Sequence, residues 1–249
     1  MLLVLVPDLP SKYFLFHAFC CIFVLVITNK TKIMPRPYKR DKVGGFSYIF
    51  PPRPEHKISS ASLVKYDTGE YKAEPKLNGS NCSIYLDGKS FDQRNRHQGD
   101  ISNFKMNGSE IIKLHRGKGD MLVVGEYMNK SQKDINGKVF NNKFVIFDII
   151  VYNGEHLVGL TYEERRAILK DIFGSKSYDD YLYQISENVF MTKSFEGNFT
   201  ELYNKIVKID MLEGCVLKRK TGKLERGTRE KNNVGWMLKC RKQTLNYQF

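Results

Sequence analysis

Five short runs in this sequence set ionisable side chains beside glycines or on apolar strands. In Glu74-Pro75-Lys76-Leu77-Asn78-Gly79-Ser80-Asn81 a lysine follows a proline and precedes a turn-prone Asn-Gly that leads into an apolar stretch. Alone, this Lys-x-x-Gly run reads first as a surface lysine before a hairpin turn. Val123-Val124-Gly125-Glu126 ends a buried-looking strand on a carboxylate, with a glycine at which another group can approach the backbone. Phe144-Val145-Ile146-Phe147-Asp148-Ile149-Ile150-Val151 interrupts an apolar strand with an acid, which is costly to bury ionised unless a partner meets it. Phe147 by itself reads as ordinary core. Glu213-Gly214-Cys215-Val216-Leu217-Lys218 and Trp236-Met237-Leu238-Lys239-Cys240-Arg241-Lys242 put cations on apolar strands. By period-two alternation Lys239 and Arg241 share a face. Glu213 and Lys218 fall on opposite faces of a regular strand, so they serve one ligand only if Glu213 sits in a turn or Gly214 marks a bulge.

The elements that must position these runs are mostly strands. Apolar or alternating stretches predict strands at Ser83–Leu86, Met121–Val124, Phe144–Tyr152, Cys215–Lys218 and Trp236–Cys240, several closed by turn signals such as Asp87-Gly88 and Asn153-Gly154. Thr161 with Glu164 three residues on, then Ile168, Leu169, Ile172 and Phe173 at helical spacing, predicts a capped amphipathic helix ending near Gly174. A second helix is expected over Glu201 to Ile209. Strands mixed with a few helices, without regular βαβ alternation, argue for an α+β domain and against a dinucleotide-binding fold. No repeat or Gly/Ser linker divides residues 34 to 249, which are expected to form one domain, and Pro51, Pro52 and Pro54 are expected to mark an extended lead-in before it.

Lys plus Arg outnumber Asp plus Glu by 40 to 27, a net charge of +13, and the excess is spread from residue 36 onward. A basic surface of this kind attracts phosphate polyanions, so a nucleic-acid partner is favoured over an acidic protein or a membrane. Cys20, Cys21, Cys82, Cys215 and Cys240 form no CxxC pair and have no histidine at ligand spacing, which argues against a zinc site or a disulfide framework and for a reducing setting. Residues 13 to 27, YFLFHAFCCIFVLVI, are nearly all apolar but shorter than the roughly 20 residues of a membrane-spanning helix. Residues 1–33 are therefore expected to lie outside the core. Met34 opens what reads as an ordinary soluble N-terminus, with an over-extended start site as the favoured explanation. Membrane anchoring by residues 13–27 and a buried N-terminal helix are the other readings, and no stable membrane partner is expected.

Taken in order, the five runs resemble the signature of the covalent nucleotidyltransferases, the superfamily of ATP-dependent DNA ligases, RNA ligases and mRNA capping enzymes. The resemblance covers Glu74 to Lys242 and implies a nucleotidyltransferase, ATP-grasp-like ligase adenylation domain with mainly antiparallel sheets, working with ATP and Mg²⁺ or Mn²⁺. It implies that Lys76 is the nucleophile that carries AMP and that Arg96, with Arg94 as its rival, touches the ribose or the bound end. Glu126 would hold the sugar hydroxyls or a metal, and Phe147 would stack on adenine. Glu213 would bind the divalent metal, Lys218, Lys239 and Arg241 would grip the phosphates, and Glu74 would be a contact for the adenine amino group. These residue types suit the chemistry. An amine nucleophile must lose a proton, its free pKa is about 10.4, and burial among cations lowers it while the same cations neutralise the phosphates.

Within that superfamily the first run is mixed. Asn81 at its end looks like RNA ligases, whereas the Glu-Pro-Lys lead-in is found among DNA ligases. The reading leans to a polynucleotide ligase of RNA-ligase type that seals 5′-phosphate and 3′-hydroxyl ends, with an ATP-dependent DNA ligase as the alternative and a capping enzyme less favoured. Arg241 stands where the family commonly has a second lysine, and a guanidinium binds phosphate without exchanging its proton. The sequence ends seven residues after Lys242, where most ligases carry a C-terminal domain, an OB-fold in DNA ligases. The expectation is that no such domain is present and that a partner, the basic surface or the N-terminal segment takes its task. A cytoplasmic setting is expected. The competing class is a non-catalytic nucleic-acid-binding protein with a ligase-like fold, which would form no covalent adduct.

Overall fold

Residues 48–243 are described in the structure, a computed structural model. The apolar run at residues 13–27 and the start at Met34 lie outside the described residues. Among the described residues no helix is long and apolar enough to cross a membrane. The strands in chain order are β1 (Arg53–Lys57), β2 (Tyr71–Leu77), β3 (Ser80–Leu86), β4 (Phe91–Asn95), β5 (Met121–Met128), β6 (Gln132–Lys133), β7 (Val139–Phe140), β8 (Lys143–Tyr152), β9 (Glu155–His156), β10 (Leu182–Gln184), β11 (Val189–Thr192), β12 (Leu212–Arg219) and β13 (Asn233–Arg241). A 3₁₀ helix spans Ser60–Tyr66, and the α-helices are α1 (Gly108–Ile112), α2 (Tyr162–Phe173) and α3 (Phe199–Ile206).

Two main sheets result. One runs β1-β13-β12-β2 and the other β10-β11-β8-β5-β3-β4, with β9 also on β8. Pairing is antiparallel except for β1 on β13 and β11 on β8. This is the α+β, mainly antiparallel arrangement expected, and each of the five predicted strands lies within β3, β5, β8, β12 or β13. The apolar face of the first sheet packs through Leu77, Leu212 and Leu217 on Phe199 and Ile206 of α3. That of the second packs through Ile84, Val123 and Ile146 on Ile111 of α1 and Leu169 of α2.

Differences from the sequence reading fall at edges. The Pro51–Pro54 stretch is not a lead-in outside the domain, because β1 is built into the first sheet as its outer strand. Pro54 is tolerated there because an edge strand needs no donor on its open side, and Pro75 sits in the other edge strand, β2, for the same reason. Nor does Asn78-Gly79 close a hairpin. It carries the chain from β2 in one sheet to β3 in the other.

Helix α2 begins as predicted: the Thr161 hydroxyl accepts the Glu164 amide, and the Glu164 carboxylate accepts the Thr161 amide at 2.7 Å. It ends at Gly174, whose φ of 72° favours glycine. The α3 helix starts two residues earlier than the predicted Glu201. What the periodicity of α2 did not reveal is that Arg165 and Arg166 are both buried. Arg165 explains the acid in β8. Its Nε and an Nη donate to the two oxygens of Asp148 at 2.9 and 3.0 Å, and another Nη donates to the Leu160 carbonyl at 2.8 Å. Burial alone would raise the Asp148 carboxyl, but the Arg165 guanidinium holds it below the ordinary range. Arg165→Met would strand that carboxylate and should cost about 3–5 kcal/mol in urea unfolding. The double variant Asp148→Leu/Arg165→Met should cost less than the single one, and an additive loss would contradict a paired role.

Candidate active site

All the candidate residues from the five runs, Asp148 aside, meet in one cleft of about 740 Å³. It is bordered by Glu74, Lys76, Glu213, Lys218, Lys239 and Arg241 from the first sheet, by Glu126 and Phe147 from the second, and by Arg96 in the turn after β4. Strand register explains the gathering, since registered neighbours stand on one face. Lys76 on β2 registers with Gly214 on β12, and Gly214 with Arg241 on β13. One step along the strands, Glu74 registers with Val216, Val216 with Lys239 and Lys239 with Lys57 on β1. The cleft face of the sheet therefore carries Lys76 and Arg241 in one row and Lys239 and Lys57 in the next, where Glu74 stands at the β2 end.

Two side chains reach the cleft through bulges. Between Leu212↔Leu77 and Gly214↔Lys76 the register advances two residues in β12 for one in β2, so Glu213 is the extra residue. This meets the condition set by the Glu213–Lys218 spacing. Gly214 has φ 142°, and a Cβ there would stand 2.0 Å from the Cys240 carbonyl oxygen, so only glycine allows the bulge. Glu213 turns its carboxylate between the two cations of its row, accepting from Lys76 Nζ and from an Arg241 Nη at 2.5 Å. Phe147 is likewise the extra residue of β8, between Val124↔Asp148 and Gly125↔Ile146. Nothing in its apolar run signalled this second bulge.

Glu74 and Lys218 form the floor. Lys218 Nζ donates to Glu74 Oε2 at 2.9 Å and to the Phe147 carbonyl at 3.1 Å, and lies over the Phe147 and Tyr162 rings at 5.2 and 5.1 Å. Glu74 Oε1 also accepts from Tyr162 Oη at 2.5 Å, and Oε2 from Thr192 Oγ1 at 3.0 Å. Both oxygens of Glu74 are thus engaged inside the protein, and Lys218 stands at the Phe147 end of the cleft rather than beside Lys76. Of the two arginines after β3, Arg96 borders the cleft, whereas Arg94 is held by Asp92 at 2.6 Å and Asp100 at 3.0 Å.

Glu126 caps the opposite wall. Its Oε1 accepts the Gly79 amide at 3.2 Å, and a Cβ on Gly79 would stand 2.5 Å from the Tyr127 carbonyl oxygen. The glycine of the Lys-x-x-Gly run is thus a close-approach site. Burial pushes the Glu126 carboxyl up to about 7, with Lys76 opposing and Glu213 adding to the rise. Lys239 is shifted downward by burial and by the neighbouring Arg53, Lys57, Lys76 and Arg241. Among the described residues no group of three or more His, Cys, Asp or Glu side chains gathers as a metal site. The sequence reading missed Arg53, Lys57, Tyr162 and Thr192. The first two lie on the strand taken for a lead-in, and the last two carry no signal that separates them from ordinary core.

The family model of the ATP dependent DNA ligase domain matches residues 56–239. No curated protein sequence matches the chain. Among solved structures, mycobacterial DNA ligase D complexed with ATP and MES is similar at TM-score 0.59 and 16% identity, over 79% of this chain and 62% of that one. The ligase domain from M. tuberculosis LigD is similar at TM-score 0.55 and 15% identity, over 78% and 60%. The ATP-dependent DNA ligase from bacteriophage T7 in complex with ATP is similar at TM-score 0.50 and 14% identity, over 77% and 68%. At these identities the likeness is one of fold, and the chain spans less than two thirds of the first two.

A pH dependence follows from Glu126. The folded protein keeps a proton up to about pH 7 that the unfolded chain releases near 4.5, so this group lowers stability as pH rises through that window. Glu126→Gln removes the effect. In urea unfolding it should gain on the order of 2 kcal/mol over wild type at pH 8 relative to pH 5. An equal difference at both pH values would show that Glu126 does not titrate there.

Proposed function

Because the chain belongs to the ATP dependent DNA ligase domain family, we propose that it transfers AMP from ATP to Lys76 and then to a 5′-phosphate end, sealing a nick in duplex DNA. The observation that supports this most directly is the setting of Lys76 Nζ: hydrogen-bonded to Glu213, in the row that ends at Arg241, across a cleft from Phe147.

Lys76 is the nucleophile. Its nitrogen bonds to the α-phosphorus as the bond to the bridging oxygen breaks, pyrophosphate leaves, and the amine protons pass to water. Lys239 and Arg241 offset phosphate charge, which in a low-dielectric cleft is the main source of rate. The Phe147 ring stacks on adenine, with the Lys218 ammonium and the Glu74 backbone at the same end. Arg96 takes the sugar side. In the second step an oxygen of the 5′-phosphate displaces Lys76 from the adenylyl phosphorus. In the third a 3′-hydroxyl attacks the activated 5′-phosphate, and AMP leaves. Each step is a displacement at phosphorus, so one cationic row serves all three.

Glu213 and Glu126 would hold Mg²⁺ or Mn²⁺. Two mutually repelling carboxylates at the cleft suit an ion that keeps several waters and shares phosphate oxygens. When bound, it supplies further positive charge at the reacting phosphate. The partner is nucleic acid, drawn by the net charge of +13. Clamping a duplex is a task for which a separate protein or domain is proposed as partner. The setting proposed is cytoplasmic, where ATP is supplied. The RNA-ligase leaning read from Asn81 rests on one cleft residue, whose amide lies 3.5 Å from the Gly125 carbonyl oxygen, and the family match outweighs it.

The test is to incubate the full chain with Mg²⁺ and ATP labelled at the α-phosphate and to measure label on the denatured protein. Wild type should retain label and Lys76→Ala should fall to background. Nicked duplexes with DNA or RNA strands should then show sealing of DNA in preference to RNA. Absence of label on folded wild type would leave a non-catalytic binder.

A further inference from the structure

We propose that Arg53 and Lys57, on the edge strand β1, form the leaving-group subsite that receives the β- and γ-phosphates of ATP and releases them as pyrophosphate. The inference rests on the reading of Lys76 as the adenylated nucleophile and adds residues that none of the five runs contains.

Across the first sheet the strands run β2, β12, β13, β1, with Lys76 on the first and Lys57 on the last. Lys57 registers with Lys239 in the parallel β1–β13 pair, so it extends the Lys239 row by one strand, next to the row of Lys76 and Arg241 and on the side of the sheet away from Lys76. Arg53 stands on the same strand, and both border the cleft. With strands about 4.8 Å apart, β1 lies about 14 Å from β2, a span covered by a triphosphate and two long side chains.

Displacement at the α-phosphorus requires the departing oxygen to stand opposite the attacking amine. With Lys76 Nζ at the β2 end and Lys239 and Arg241 in the middle, the remaining phosphates extend toward β1. The Nζ lone pair forms the P–N bond, the bridging oxygen keeps the electrons of the bond that breaks, and the pyrophosphate carries them away. Charge points the same way. Arg53, Lys57, Lys76 and Arg241 all act to discharge Lys239, and an anion lying along the row relieves that repulsion. Arg53 and Lys57 are also exposed, so a product held by them has a direct path to solvent.

The test separates the steps. Wild type, Arg53→Ala/Lys57→Ala and the charge-preserving Arg53→Lys/Lys57→Arg are compared as full chains in three assays. These are adduct formation from α-labelled ATP, discharge of the preformed adduct by inorganic pyrophosphate, and sealing of a nick that already carries a 5′-adenylate. For the alanine pair, adduct formation at low ATP and discharge by pyrophosphate should each fall about tenfold, as expected for two exposed charged contacts. Sealing of the adenylated nick should be unchanged, and the charge-preserving pair should recover most of the loss. Unchanged ATP and pyrophosphate dependence in the alanine pair would overturn the proposal. An equal fall in all three assays would also overturn it, because the residues would then grip the nucleic acid or support the fold. Wild type that forms no adduct at all would overturn the nucleophile reading and this inference with it.

Discussion

The buried carboxylate of Glu74 is the interaction on which the geometry of the cleft depends. It belongs to β2, and it is met by Lys218 of β12, Thr192 of β11 and Tyr162 of α2. Two sheets and the helix packed on the second of them are thereby joined at one point, and Lys218 extends the link to the Phe147 carbonyl. An ion pair in such a place is weak as a source of net stability, because removing both charges from water offsets most of their attraction. Its value is positional. With every oxygen of the carboxylate occupied, the two sheets have one favourable relation, and the distance between the aromatic wall and the cation row is fixed by it.

A second pair does the same for the other wall. Asp148 faces away from the cleft toward Arg165, while its neighbour Phe147 is turned toward the cleft by the bulge. The acid in the apolar strand is therefore an anchor for the aromatic beside it. Both polar links start from the first turn of α2, where Tyr162 and Arg165 lie one turn apart, so the capping box that fixes where this helix begins also fixes where the two links can form.

Much of the candidate cleft was legible because charged residues on apolar strands are conspicuous. Glu126, Glu213, Lys239 and Arg241 each break a hydrophobic pattern, alternation alone put Lys239 and Arg241 on one face, and Lys76 stood out only through the order of the five runs. The condition on Gly214 was legible too, since opposite-face spacing can be reconciled only by an extra residue. The remainder was hidden for identifiable reasons. Strands β1 and β2 contain prolines and charges that a central strand would reject, and only their edge positions make them strands. Arg165 and Arg166 look like solvent-facing helix residues until their acceptors, which lie far away in sequence, are known. The bulge at Phe147 leaves no trace in a run of uniformly apolar residues.

The parallel pairing of β1 with β13 has a consequence for the order in which the molecule is made. The earliest described strand finds its partner in the latest, so β1 emerges from synthesis with an unpaired edge and keeps it until nearly the whole domain has followed. The β2–β12 pairing imposes a similar delay, and contacts of this range are slow to form because the loop must close before they can reward it. The cation row is completed only by these late pairings. A nascent chain would carry most of the sequence motifs and the Glu126 and Phe147 side of the cleft, but the cationic side closes only when β13, the last described strand, has joined β12 and β1.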